Sequence, residues 1–461
     1  MLAQSDVAPR LARAGLGVLA VASILLAALT YWAVFRDDLS TEDGNPRLLA
    51  RFSDPLRGRI LARDGAVLAE SAADGSRVVH DASYAHAIGY IDARYGSQGA
   101  ELAFDGALSG EQAGGWQGAL DRELFRRRAP GADVTLTLDP ALQRAAATAL
   151  GARRGAGVAL DPRTGEVLAM VSVPTYDPSA LAEDGEALLA DPSSPLLNRA
   201  TQGLYPPGST FKVVTAASLL EHRVVTLDTR VTCPGEIVID GFPISCRNVA
   251  QGVGTYPFRD AFAFSVNAVF AQLGVTLGWE RLEATARAFG FGGAPSFELE
   301  TAAPRLRGEG ERSEVLLATT AFGQGELLAT PLQMALVAAT VANGGVQPAP
   351  RLGFAVVGRP VAPAARRKVL EPGIAEQLRS LMVAAVASGQ AAGIAVPGVT
   401  VAGKTGTAET GIEGRSHAWF IGFAPADAPV VAVAVIVENG GRGGEVASPV
   451  AGAIFRAAMV R

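Results

Sequence analysis

Lysine is almost missing from this chain. Of the 40 basic residues in 461, only Lys212, Lys368 and Lys404 are lysine, and all the others are arginine. Such a bias is most simply inherited from a GC-rich genome, and it makes each surviving lysine informative. Cysteine is nearly absent too. Cys233 and Cys246 are too few for a four-ligand structural zinc site. The four histidines, His80, His86, His222 and His417, are scattered singly without ligand spacing. Neither a metal nor another cofactor is expected. Charge is sparse: the net value of -5 and the lack of a clustered basic face exclude a nucleic-acid partner. Internal repeats and low-complexity tracts are missing. What remains, 49% hydrophobic and 18% charged, is ordinary for a folded protein of two or three domains with one membrane segment.

That segment is at the start. Residues 14–35 read AGLGVLAVASILLAALTYWAVF, uncharged and long enough to span a bilayer. Arg10 and Arg13 precede it, and Arg36-Asp37-Asp38 follow. Residues 1–13 are therefore expected in the cytoplasm, with the rest outside the cell membrane. Tyr31 and Trp32 sit where an interfacial aromatic belt belongs. A cleaved signal peptide would need a small-residue cleavage site after the run, and none is suitably placed.

Residues 36–152 are expected to form a small strand-rich pedestal, with short alternating stretches at 58–62, 66–69 and 134–138. Asp139-Pro140 opens an amphipathic helix to Leu150, with Asp as N-cap and Pro at the first helical position. The larger domain spans 153–461. Its apolar stretches 158–160 and 167–171 flank Asp161-Pro162-Arg163-Thr164-Gly165, which reads as a hairpin turn. Helices are expected over 330–342, 372–387 and 448–459, and strands over 399–405, 418–423 and 430–437. Strands at both ends around a helical centre predict an α+β fold, an antiparallel sheet flanked by helices.

Three short motifs carry chemistry. Pro206-Pro207-Gly208 cannot be helical, whereas residues 209–221 read as a buried apolar helix. Ser209 thus lies at a helix N-terminus, where free N–H groups favour developing negative charge. Lys212, three residues on, faces the same way. A serine needs an adjacent base to take its proton. A lysine serves only if burial or a nearby cation lowers its pKa, and an arginine cannot serve at all. Alone, such a serine–lysine pair more often is an N-cap followed by a surface lysine. The second motif, Ser265-Val266-Asn267, alone reads as a capping turn, and both its polar side chains can serve one site only at a loop or helix start. The third, Lys404-Thr405-Gly406-Thr407, ends a strand-like stretch, where a cation and hydroxyls can bind a carboxylate and an N–H can donate to an oxyanion.

Together and in this order the three motifs mark serine acyltransferases. Over nearly its whole length the chain resembles the class B penicillin-binding proteins. Residues 57–65 (RGRILARDG) and 99–110 are similar to pedestal motifs of that family. Further matches are Asp161 to Ala169, Gly323-Gln324-Gly325 before Thr330-Pro331, and His417 to Gly422. The resemblance implies the penicillin-binding transpeptidase fold and a peptidoglycan D,D-transpeptidase that binds penicillin covalently. It makes Ser209 the acylated nucleophile, Lys212 its base and Ser265 a proton relay. Asn267 binds the stem peptide, and Lys404, Thr405 and Thr407 hold its terminal carboxylate beside Gly406. The N–H groups of Ser209 and Thr407 form the oxyanion hole. Stem peptides and β-lactams are the ligands, and a polytopic glycan polymerase is the implied membrane partner. Where many members carry His-Gly before the second motif, this chain has Gln251-Gly252.

Other readings compete. Residues 398–405 satisfy the phosphate-loop pattern G-x-x-x-x-G-K-[ST]. That loop needs a strand before its first glycine and a helix after the lysine, and Gly406, Gly411 and Gly414 deny the helix. A β-lactamase or antibiotic sensor shares the serine chemistry, but the anchor, the pedestal and Asn267 favour the synthetic enzyme. Water or an amine can take the acyl group, so carboxypeptidase activity is open. The two cysteines lie in the extracytoplasmic part, where a disulfide is permitted.

Overall fold

The computed structural model describes residues 7–34, 56–111, 129–246 and 253–460, except 309, 311, 357, 363–364, 393 and 395. Gln251-Gly252 lies outside them. The N-terminal helix runs Val7–Val34, so Arg10 and Arg13 are on the helix itself. Its stretch Ala12–Tyr31 is long and apolar enough to cross a membrane, and none of it is buried against the protein.

The larger part is built on a five-stranded antiparallel sheet. Its order is Ala402–Glu409, Ser416–Ala424, Val431–Val437, Gly155–Leu160 and Val167–Val173. The hairpin around Asp161 forms as expected: Asp161 Oδ1 accepts from the Arg163 and Thr164 N–H groups, and strand pairing follows on both sides. Val431–Val437 is apolar throughout because the sheet is covered on both faces. Val433 and Val435 pack with the Pro140–Leu150 and Gly443–Met459 helices, while Ala432, Ala434 and Ile436 belong to the opposite core. That second core holds the helices Lys212–Glu221, Pro331–Ala342 and Pro372–Ala387. Asp139 caps the Pro140 helix through the Ala141 and Leu142 N–H groups. Thr330 caps the Pro331 helix through Gln333 N–H.

Some boundaries differ from expectation. The last helix begins at Gly443, not 448, and keeps Pro449 inside it. Ser448-Pro449 imitates an N-cap followed by a first-turn proline, and Gly443-Gly444 imitates a breaker. The strand expected over 399–405 starts at Ala402. Ahead of it the chain turns at Gly398 (φ +71°), and Thr400 O accepts Ala426 N–H rather than a ladder partner.

The pedestal contains a mixed sheet. Ile60–Leu61 pairs antiparallel with Val67–Ser71 and parallel with Val134–Leu136. Arg77–Val79 closes one side. The opposite side is supplied from far along the chain: Gly353–Val356 pairs with Val134–Leu136, and Arg359–Pro360 with Gly353–Val356. The two motif stretches of the pedestal meet. Arg57 Nε lies 2.8 Å from Glu101 Oε2, and Nη1 lies 2.7 Å from Asp105 Oδ1. Arg77 takes the other Glu101 oxygen at 2.6 Å. Glu166, bonded to Arg351 and 3.6 Å from Arg63, ties the pedestal to the larger sheet. Cys233 and Cys246 are bridged, their Cα atoms 6.2 Å apart.

Candidate active site

The chain reaches Ser209 through a tightly held turn. Tyr205 exchanges backbone hydrogen bonds with Ala329 (3.1 and 2.9 Å), and Trp419 Nε1 donates to Pro206 O at 2.9 Å. Gly208 sits at φ +54°, donates to Gly323 O at 2.9 Å and approaches the Thr407 carbonyl so closely that a Cβ would lie 2.9 Å from it. The turn Gly208–Phe211 is 3-10, and the α-helix begins only at Lys212. Thr210 Oγ1 donates to Pro207 O at 2.7 Å, fixing the entry. Ser209 is left half-buried, against the free side of the edge strand Ala402–Glu409.

Lys212 is wholly buried. Its Nζ donates to Ser265 O at 2.9 Å, Ser265 Oγ at 3.2 Å and Asn267 Oδ1 at 2.6 Å. The sequence problem of two polar side chains spaced by one residue is solved by backbone geometry. Ser265 adopts φ +61° between the helices Phe258–Ala263 and Asn267–Leu277, and Asn267 is the first residue of the second. A serine at positive φ is uncommon and costs about 1–3 kcal/mol, which the surrounding structure must offset. Ser265 N–H donates to Phe262 O and Val266 N–H to Ala261 O. Gln390 anchors the preceding turn, donating from N to Ala263 O and from Nε2 to Phe264 O.

Lys404 is also wholly buried, donating to Thr405 O at 3.1 Å. Successive strand residues point to opposite faces. Lys404 therefore enters the face that carries the Lys212–Glu221 helix, opposite to Thr405 and Thr407, and of the three only Thr407 is exposed. Gly406 lies under the turn: a Cβ there would be 2.9 Å from Pro207 O and 3.0 Å from Trp419 Cβ. Aromatic rings floor both ammonium groups. Lys212 Nζ is 5.1 Å from the Phe270 centroid and Lys404 Nζ 5.8 Å from that of Phe262.

Burial decides the protonation of these lysines. Loss of solvation pushes Lys212 well below the usual lysine value, and the neighbouring Lys404 charge pushes it further. Burial alone takes Lys404 to about 7. The site can therefore hold a neutral Lys212 amine beside Ser265.

All eight residues expected from the sequence occur within three elements packed together: the Ser209 turn, the Ser265 turn and the edge strand. The phosphate-loop reading fails, since Lys404 lies inside a strand. Phe262, Phe270 and Gln390 do work here that sequence reasoning missed, and Gly323, known from sequence only as a family match, holds the Ser209 turn. Phe262 and Phe270 read as ordinary core residues, and nothing local announces the lysines above them.

Residues 155–459 match the family model for the penicillin binding protein transpeptidase domain, and residues 57–134 that for the penicillin binding protein A dimerisation domain. The chain is 37% identical to the peptidoglycan D,D-transpeptidase PbpA of Mycolicibacterium smegmatis, over 97% of this chain and 98% of that one. The structure of penicillin-binding protein A from M. tuberculosis as a ceftriaxone acyl-enzyme superimposes with a TM-score of 0.81 at 36% identity, covering 89% of this chain and 100% of that one. A D,D-transpeptidase domain from Eggerthella lenta gives 0.79 at 35%, covering 88% and 98%. With two family models, full-length relatives and a matching fold in agreement, this chain belongs to the penicillin-binding protein family, as a class B transpeptidase.

Proposed function

We propose that the chain is a peptidoglycan D,D-transpeptidase in which Ser209 is the nucleophile and Lys212 its base. The observation that carries this reading is the buried Lys212 amine, held by Ser265 and Asn267 one helical turn after the half-buried Ser209. Neutral Lys212 takes the Ser209 proton as Oγ bonds to the penultimate D-Ala carbonyl carbon. The Ser209 and Thr407 N–H groups hold the oxyanion. The C–N bond then breaks, and the proton returns through Ser265 Oγ to the leaving D-Ala amine. An acceptor amine attacks the acyl-enzyme by the reverse path, releasing the cross-linked peptide. Asn267 binds the donor stem peptide. Thr405 and Thr407, beside Gly406, hold its carboxylate, with the Lys404 charge beneath them. A β-lactam follows the first half, its leaving nitrogen remaining tethered.

The apolar N-terminal helix supports a single-pass anchor with residues 14–35 in the cell membrane, a pedestal over 36–152 and the transpeptidase domain over 153–461 outside. A polytopic glycan polymerase in the same membrane is the natural supplier of the strands to be cross-linked. Protease added to intact spheroplasts should digest residues beyond Arg36, and protection of the larger domain would overturn that topology. The chemistry is tested by labelling with a tagged penicillin, locating the added mass, and offering stem-peptide donors with and without an amine acceptor. Mass on the Ser209 peptide and amine-dependent product are expected. An adduct on another peptide, or its persistence in Ser209→Ala, removes Ser209 from the role.

A further inference from the structure

A cavity of about 460 Å³ lies between the turn that follows the Trp279–Ala288 helix and the ribbon pairing Val346–Pro348 with Arg366–Lys368. It shares no lining residue with the Ser209, Ser265 or Lys404 elements. Its floor holds Gln333, 1% exposed in the capped Pro331–Ala342 helix. Gln333 Nε2 donates to Phe289 O at 2.7 Å, which fixes the amide so that Oε1 is the other arm. That oxygen has no hydrogen-bond partner among the described residues. Gln347 Nε2 donates to the same carbonyl at 3.0 Å, and its Oε1 accepts Arg367 Nη2 at 2.6 Å. Gly290, at φ +104°, leaves room where these groups converge: a Cβ there would meet Gln333 Oε1 at 3.2 Å and Arg367 Nη2 at 3.4 Å. Arg366 and Arg367 are both exposed at the rim. Leu336 offers an apolar wall, and Phe291, edge-to-face with Phe211 at a centroid distance of 5.2 Å, holds the turn in place.

We propose that this cavity binds an N-acylated amino-acid carboxylate, the chemistry of a peptide C-terminus. Gln333 Oε1 opens into the cavity as a free acceptor, so its complement there is a ligand N–H. The open arm of the Arg367 guanidinium, held beside Gly290 by Gln347 Oε1, matches a planar carboxylate. The ligand side chain packs on Leu336 and Phe291. A bare anion satisfies Arg367 and leaves Gln333 Oε1 to water, whereas an acylated amino acid satisfies both.

The test uses the full chain in detergent, acylated by penicillin so that the site around Ser209 is occupied. Complete acylation is verified first by mass, which separates failure of the serine reading from failure of this one. N-acetylleucine, 4-methylpentanoate and inorganic phosphate are titrated at constant ionic strength. N-acetylleucine should bind saturably, and 4-methylpentanoate, which lacks the amide, about tenfold more weakly. Arg367→Ala should weaken N-acetylleucine about tenfold or more with acylation by penicillin unchanged. Absent saturation, equal affinity for phosphate or 4-methylpentanoate, or an unaltered affinity in Arg367→Ala would overturn the proposal.

Discussion

The lysines are where single residues decide the chemistry. Lys212→Arg keeps the positive charge and most of the bulk but cannot give up its proton. Acylation by a labelled penicillin should fall by at least about a hundredfold, the scale of lost general-base catalysis. Near-normal acylation would take Lys212 out of the base role. Lys404 makes a separate prediction through stability. Its folded value is about 7 against an ordinary 10.5. Between those values the unfolded chain holds a proton that the folded protein has shed, so the stability contributed by this group rises with pH across the window. Below about 7 both states are protonated and the burial penalty is complete, and above 10.5 the gain levels off. Chemical denaturation at several pH values should therefore show wild type gaining on Lys404→Met from neutral pH upward. Parallel curves would show that Lys404 does not titrate there. The reason both lysines could be singled out from the sequence is compositional, since arginine stands at nearly every other basic position. Their depressed values could not be read, because they come from burial by distant elements and, for Lys212, also from the charge of Lys404.

At the scale of elements, legibility follows locality. Asp139-Pro140, the Asp161 hairpin and Thr330-Pro331 each carry their own hydrogen-bond signature, and all three form where expected. The Ser265 turn was narrowed to a loop or helix start, but its positive φ depends on contacts with Phe262, Ala261 and Gln390. Pro449 and Gly443-Gly444 misled for the opposite reason: local rules pointed one way and sheet packing overrode them. The contact between Gly323 and Gly208 is the sharpest case of two elements meeting with no space between them. A Cβ on Gly323 would lie 1.7 Å from Gly208 O, and its φ of +89° already disfavours any other residue. Gly323→Ala should lower stability by about 2 kcal/mol or more and slow acylation together, as the Ser209 turn is displaced. Denaturant unfolding and labelled-penicillin kinetics read the two effects. Retention of both would show that the turn does not depend on this contact.

For the whole molecule, the pedestal is stitched by charges taken out of water. Arg57 is 6% exposed and Glu101 fully buried, so Arg57→Ala takes a buried cation from Asp105 and leaves Glu101 to Arg77 alone. A loss of about 3–5 kcal/mol is expected, measured by urea unfolding. A loss under 1 kcal/mol would mean that water reaches the cluster. The strand Gly353–Val356 was illegible as a pedestal element because its partner, Val134–Leu136, lies more than two hundred residues earlier. It has a practical consequence for any attempt to produce the acyltransferase half by itself. A fragment starting at Gly155 keeps every proposed catalytic group, yet it carries Gly353–Val356 with one ladder of N–H and C=O groups bare. Such a fragment should self-associate through that edge, its sedimentation coefficient climbing with concentration, whereas a fragment starting at Leu56 should stay monodisperse. Cutting the gene at the apparent domain boundary thus divides one sheet between two products.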